Sequence, residues 1–136
     1  MPAEAKGTTE KSAKAFVRYY VSSVNHAMKT GDTQALLDAS ARSCESCGAV
    51  ADNIGGVYAD GGRLRGKGWR LTAMKPVASQ PQANPIVQTG VFVNQQVKVA
   101  RTGAKPEHFG GGQQLMTFFL EQRRGTWLVQ KWDQTK

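Results

Sequence analysis

The sequence predicts an α+β domain in which three N-terminal helices pack on a curled four-stranded antiparallel sheet. Apolar residues recur at helical spacing as far as Asp60, and from residue 68 onward they alternate at strand spacing. Helices first and strands afterwards, with no second domain, is the order of an α+β fold. A length of 136 residues suits one such domain with a real core. Residues 12–136 are expected to form it, and residues 1–11, which lack periodicity, to be a flexible N-terminal tail.

The first helix is expected over Ser12–Thr30. Ala13, Phe16, Val17, Tyr20, Val24, Ala27 and Met28 lay one apolar stripe along it. Gly31 can end it in the left-handed conformation, and Asp32 can cap the short helix TQALLDAS with its carboxylate. A third helix, about Ser46–Asp60, shows Cys47, Val50, Ala51, Ile54, Val57 and Tyr58 on one face. Gly55 and Gly56 inside it cost roughly 1 kcal/mol each against alanine, which close approach of another element would justify.

Gly61-Gly62 ends that helix, and the basic GGRLRGKG leads into a first strand at Trp69–Val77. A loop, SQPQANP, is marked by Pro81 and Pro85. Ile86–Arg101 alternates cleanly and is expected to be one long strand, curled by a bulge or bend at Gly90 rather than turned into a hairpin at Asn94-Gln95. Thr102–Gly112 reads as a glycine-rich loop, Gln113–Arg123 as the third strand, Arg124-Gly125 as a tight turn and Thr126–Gln134 as the fourth strand. LMTFFL is apolar at nearly every position, so both faces of the third strand are expected to be covered. Phe16, Val17, Tyr20, Val24, Ile54, Val91, Val93, Phe119 and Trp127 form the expected core under the concave face of the sheet.

The mean hydropathy of −0.45 is that of an ordinary globule, and no apolar run approaches the ~20 residues of a membrane span. The N-terminus lacks the apolar centre of a secretion signal. Either the chain is cytosolic, or an export signal that once preceded Met1 has been removed. Charge is lopsided: residues 1–60 carry −1, residues 107–136 carry +1, and residues 61–106 carry +8 with no acid. Arg63, Arg65, Lys67, Arg70, Lys98 and Arg101 in that third are expected to gather at one end of the sheet. The alternatives for them are a solubilising surface and a patch for an anionic partner such as lipid or cell-wall polymer.

Cys44-Glu-Ser-Cys47 admits three readings. A zinc half-site needs two further ligands, and only His26 and His108 are offered. A thioredoxin-type pair should follow a strand, which this one does not. The expected reading is a structural disulfide between Cys44 and Cys47 that fixes the angle between two helices and points to an oxidising compartment. Gly61-x-x-x-x-Gly66-Lys67 mimics a phosphate loop, but Gly68 replaces its hydroxyl and a strand replaces its helix. His26 lies off the apolar stripe, and no carboxylate pair or Ser-His-Asp set converges, so neither catalytic residues nor a metal or cofactor is expected.

Three helices, a long curled sheet and the closing Gly125-Thr-Trp127-Leu-Val129 together resemble the cone of the nuclear-transport-factor-2-like superfamily, which includes SnoaL-type cyclases and ketosteroid isomerase. More specifically, Ala15-Phe16-Val17-Arg18-Tyr19-Tyr20, Thr30-Gly31-Asp32, Cys44-x-x-Cys47 and Trp127 make the chain similar to a family of unknown function found in actinobacterial exported lipoproteins. That resemblance implies an extracytoplasmic, lipid-anchored protein tethered through residues 1–11. Two departures separate it from the superfamily's enzymes. The cysteine turn stands where they place a strand, and Tyr20 falls about one turn before the isomerase tyrosine position, which Val24 occupies.

The leading functional expectation is a non-enzymatic, exported, membrane-tethered binding or interaction module. The second is a cone binding a small apolar molecule with isomerase- or cyclase-like activity, using Tyr20 and a pocket of Phe16, Trp69 and Phe92. A basic nucleic-acid-binding module comes third, because the basic run carries no nucleic-acid motif.

Overall fold

The computed structural model describes residues 1–7, 9–76, 84–123 and 125–135, so the expected loop around Pro81, Val77 and Arg124 of the tight turn lie outside the described residues. Helix α1 (Glu10–Thr30) begins two residues earlier than its apolar stripe suggests, because Thr9 is its cap. The Thr9 hydroxyl accepts the Ser12 backbone N–H at 3.1 Å. Gly31, with φ 81°, ends the helix in the left-handed region. Asp32 then accepts the N–H of Gln34 at 3.0 Å at the start of α2 (Gln34–Asp38). The residues just after α2 run beside the last strand of the sheet. Ala41 N–H donates to the Val129 carbonyl and Val129 N–H to the Ala39 carbonyl, each at 2.9 Å. One isolated parallel bridge thus joins Ser40 to Val129, just ahead of the cysteine turn.

Helix α3 (Glu45–Ala59) starts at Cys44, whose sulfur is bonded to that of Cys47. Both cysteines are buried. Gly55 and Gly56 face open space, so no neighbouring element explains them, contrary to expectation. Ahead of α1, Ala3–Ala5 forms a single helical turn and Ala5 packs into the core, within the stretch expected to be a tail.

Among the described residues seven strands replace the expected four. They are β1 (Gly61–Gly66), β2 (Trp69–Pro76), β3 (Ile86–Val93), β4 (Gln96–Arg101), β5 (Glu107–Phe109), β6 (Gly112–Arg123) and β7 (Thr126–Thr135). All neighbours pair antiparallel, in a three-stranded sheet β1-β4-β5 and a four-stranded sheet β2-β3-β6-β7. The basic lead-in is therefore strand β1, and the glycine-rich loop contains β5.

The two sheets are joined by a shared bend. Gly66 faces Gln96, which faces Phe109; on the far side Trp69 faces Val93, which faces Gly112. Three chain segments thus bend side by side at Lys67-Gly68, Asn94-Gln95 and Gly110-Gly111. The Gly68 carbonyl accepts both the backbone N–H and the side-chain amide of Asn94, at 3.0 and 2.8 Å. Gly68 has φ 77°, and a Cβ there would strike the Asn25 side chain. Of the bulge or bend expected at Gly90, the structure shows a bulge: Gly90 lies against Thr72, where β2 slips register between Leu71 and Met74, so the extra residue is in the neighbouring strand.

The core holds Phe16, Val17, Tyr20, Val24, Ile54, Val91 and Trp127 as expected, with Val93 packed at its margin. Phe119 is a correction: Phe118 is fully buried, while Phe119 lies outward with Lys131 over its ring at 4.6 Å. Met116, Phe118 and Leu120 are the inward set of β6, and the outward Leu115 is 44% exposed, so the outer face is not covered there. When nearly every position is apolar, alternation cannot choose a face, and a slip of one residue exchanges the two.

Candidate functional site

The bend leaves a cavity of about 410 Å³ between the helices and the three-stranded sheet. Val24 and Met28 of α1 form one side, and Val50, Ile54 and Val57 of α3 a second. Leu64 of β1, Trp69 of β2 and Phe109 of β5 close it from the sheet, with Asn53, Gln96 and Lys98 as its polar groups. This volume lies within the ~300–1,000 Å³ of small-molecule sites, and the mostly apolar lining with few polar groups is their usual chemistry.

Two hydrogen-bonded clamps hold these walls. The Tyr58 hydroxyl donates to the Met28 carbonyl at 2.6 Å and accepts from Leu64 N–H at 3.3 Å, tying α1, α3 and β1 together. Asn25 makes a two-point pairing with the backbone of Trp69, both distances being 2.9 Å, and so fixes β2 against α1. Gln96 is turned inward, its amide 3.2 Å from the Met28 sulfur.

The four residues expected to make a pocket are not brought together. Trp69 lines the cavity. Phe16 and Tyr20 are buried in the core below it, and the Tyr20 hydroxyl accepts a hydrogen bond from the Trp132 indole at 3.1 Å. Trp132 in turn meets Trp69 edge-on at 5.6 Å, so two indoles connect Tyr20 to the cavity wall. Burial pushes the Tyr20 phenol up to about 12, with the Trp132 hydrogen bond opposing the shift. Phe92 pairs with Arg70 on the other face of β2-β3, under the Arg70 guanidinium at 5.3 Å, and lines a separate outer cleft with Lys67 and Asn94.

The six expected basic residues divide between two faces. Lys98 stands opposite Leu64 and points into the cavity. Arg63, Arg65 and Arg101 occupy the alternate positions, opposite Val99, Val97 and Gly61, and form an exposed stripe on the outer face. Arg65 and His108 border a shallow outer cleft together. Lys67 sits at the bend and Arg70 beyond it. The expected meeting of Lys98 with the arginines therefore does not occur, because alternation along β4 sends Lys98 inward and Arg101 outward.

Neither cysteine is free to bind zinc, since each is bonded to the other, and His26 lies 3.9 Å from Asp32 on the exposed end of α1. Among the described residues no group of three His, Cys, Asp or Glu could hold a metal. Sequence reading missed Leu64, Met28 and Phe109 as parts of the cavity, and Asn25 as the clamp on its Trp69 wall. Leu64 carried a signal, standing between two arginines in the alternation of a short strand.

Solved structures show what this architecture is. The chain is similar to the intermembrane space region of the chloroplast protein ARC6, with 8% identity, a TM-score of 0.68 and coverage of 93% of this chain and 96% of that one. An uncharacterized protein with a cystatin-like fold from Caulobacter vibrioides gives 11% identity and a TM-score of 0.58, over 90% of this chain and 85% of the other. A putative aromatic ring hydroxylase from Novosphingobium aromaticivorans gives 12% identity and 0.58, with the same coverage of 90% and 85%. At these identities the likeness establishes the fold, a nuclear-transport-factor-2-like cone. No curated protein matches the sequence. The model of a family described as "Family of unknown function (DUF6318)" matches residues 1–133.

Proposed function

The chain belongs to the DUF6318 family of unknown function, and from that premise we propose that it is a non-enzymatic binding module whose cone cavity takes a small apolar molecule. The carrying observation is the cavity itself: about 410 Å³, mainly apolar, with Lys98 the one titratable group among its described lining residues. Acid–base chemistry needs a group of suitable pKa within reach of the substrate. Here Val24 lines the wall, while Tyr20, one turn away, is committed to Trp132 in the core. The fold itself does not choose between catalysis and binding. One structural neighbour is named a putative hydroxylase and another is a region of a chloroplast protein.

The same reading places the module outside the cytoplasm, tethered near an anionic surface. The Cys44–Cys47 bond supports an oxidising compartment, and the Arg63, Arg65 and Arg101 stripe supports an anionic neighbour. The cavity reading is tested with the neutral fluorescent probe N-phenyl-1-naphthylamine. Saturable binding at one site is expected, and Val50→Trp, which fills the cavity from α3, should abolish it while circular dichroism shows a folded chain. Absence of saturable binding, or binding unchanged by Val50→Trp, would overturn the reading.

A further inference from the structure

We propose that the cavity ligand is an amphiphile with an anionic head, its apolar body among the helices and its carboxylate-like group held by Lys98. The inference rests on the cavity reading above and adds the chemical class of ligand. Three observations lead to it.

The first is the position of Lys98. Its cross-strand neighbours are Leu64 on β1 and Glu107 on β5, so it stands on the inner face of the small sheet, in the cavity wall with Leu64 and Phe109. It is half-buried, and none of the ion pairs among the described residues includes it. Glu107, the nearest acid by register, is exposed at the sheet edge. An anion delivered with an apolar body would meet this ammonium and the apolar wall beside it together.

The second is the composition of the lining. The polar groups among its described residues, Asn53 on α3 and Gln96 and Lys98 on β4, include one cation and no acid, and the remaining lining residues are apolar. A ligand that matches both must join an apolar body to an anionic group.

The third is the rim. A cleft of about 220 Å³ that shares Met28, Leu64 and Gln96 with the cavity is bordered by Lys29 and Arg65. Positive charge thus continues from Lys98 toward solvent, and a cleft lined by one sign of charge concentrates ligands of the other. A cationic or neutral ligand gains nothing from this arrangement.

The experiment compares decanoate with decan-1-ol, which differ at the head and not in the chain, by isothermal titration calorimetry on wild type and Lys98→Gln at neutral pH. Wild type is expected to bind decanoate at least tenfold more tightly than the alcohol. Lys98→Gln should remove that preference, weakening decanoate about tenfold and leaving decan-1-ol within twofold. Equal binding of the two by wild type, or a preference that survives in Lys98→Gln, would overturn the inference. If either of these results occurs while N-phenyl-1-naphthylamine still binds saturably, the cavity reading stands and only the ligand class fails. If neither decanoate, decan-1-ol nor the naphthylamine probe binds, both fail.

Discussion

Replacing Tyr20 by phenylalanine separates a core residue from a reacting one. The hydroxyl is buried and accepts the Trp132 indole N–H at 3.1 Å, and Trp132 is itself only 9% exposed. Removing the hydroxyl leaves that donor without its partner, which costs about 1–3 kcal/mol of stability at neutral pH. Alkaline pH should act in the opposite direction. Burial raises the Tyr20 phenol from 10.0 to about 12, so the unfolded chain releases this proton first as pH rises. The contribution is fully present below pH 10 and is lost as pH rises toward 12, amounting to about 3 kcal/mol in all. Tyr20→Phe lacks that loss. Urea unfolding of both proteins between pH 7 and pH 11.5 should therefore show wild type more stable at neutral pH, with the gap closing or reversing on the alkaline limb. A gap constant across the series would refute the buried, Trp132-bonded phenol, as would a variant more stable at pH 7.

Two further outcomes follow from the cysteine pair and the outer stripe. Unreduced native protein should resist alkylation at both Cys44 and Cys47, and the Cys44→Ser/Cys47→Ser protein should lose roughly 2 kcal/mol, the chain-entropy value for so short a loop. Two alkylated thiols in unreduced protein, read by mass spectrometry, would contradict this. In vesicle sedimentation at low salt, wild type should pellet with anionic but not neutral vesicles, and Arg63→Ser/Arg65→Ser/Arg101→Ser should pellet with neither. Equal binding to both vesicle types would return the stripe to a solubilising role, and so would indifference to the triple change.

The helices were legible because their apolar faces are long. Seven apolar positions along α1 and a left-handed Gly31 leave little freedom, and nine of the expected core positions can be checked against the fold with only Phe119 on the wrong face. The strands were less legible for a physical reason. Within β1 the inward set of side chains is Leu64 alone, flanked by glycines, so alternation has one member and the basic residues dominate the pattern. β5 is three residues long and exposed at each position, which leaves no periodicity to read. The bend at Asn94-Gln95 carries no glycine of its own. It is set across the sheet by Gly68 and by the Asn94 side chain, a partnership separated by 26 residues in sequence. The cavity was illegible for the same reason, since it exists only where that bend lifts β4 away from the four-stranded sheet.

The charge run shows how much a pleat adds to a composition. Eight cations between residues 61 and 106 read as one feature along the chain, and a single positive face is the simplest expectation from it. Pairing β1 against β4 with Arg63 opposite Val99 and Leu64 opposite Lys98 divides that feature in two. The arginines, strongly charged and suited to bidentate contact with phosphate or carboxylate groups, face outward, where a surface can meet them. The lysine, a compact charge on a flexible stem, faces inward beside Leu64, Trp69 and Phe109. A slip of one residue between β1 and β4 would exchange these roles, putting guanidinium groups in the cavity and Leu64 in solvent. The register therefore decides what the protein can bind as well as how it packs, and the Tyr58 clamp on Leu64 N–H is one contact that holds it.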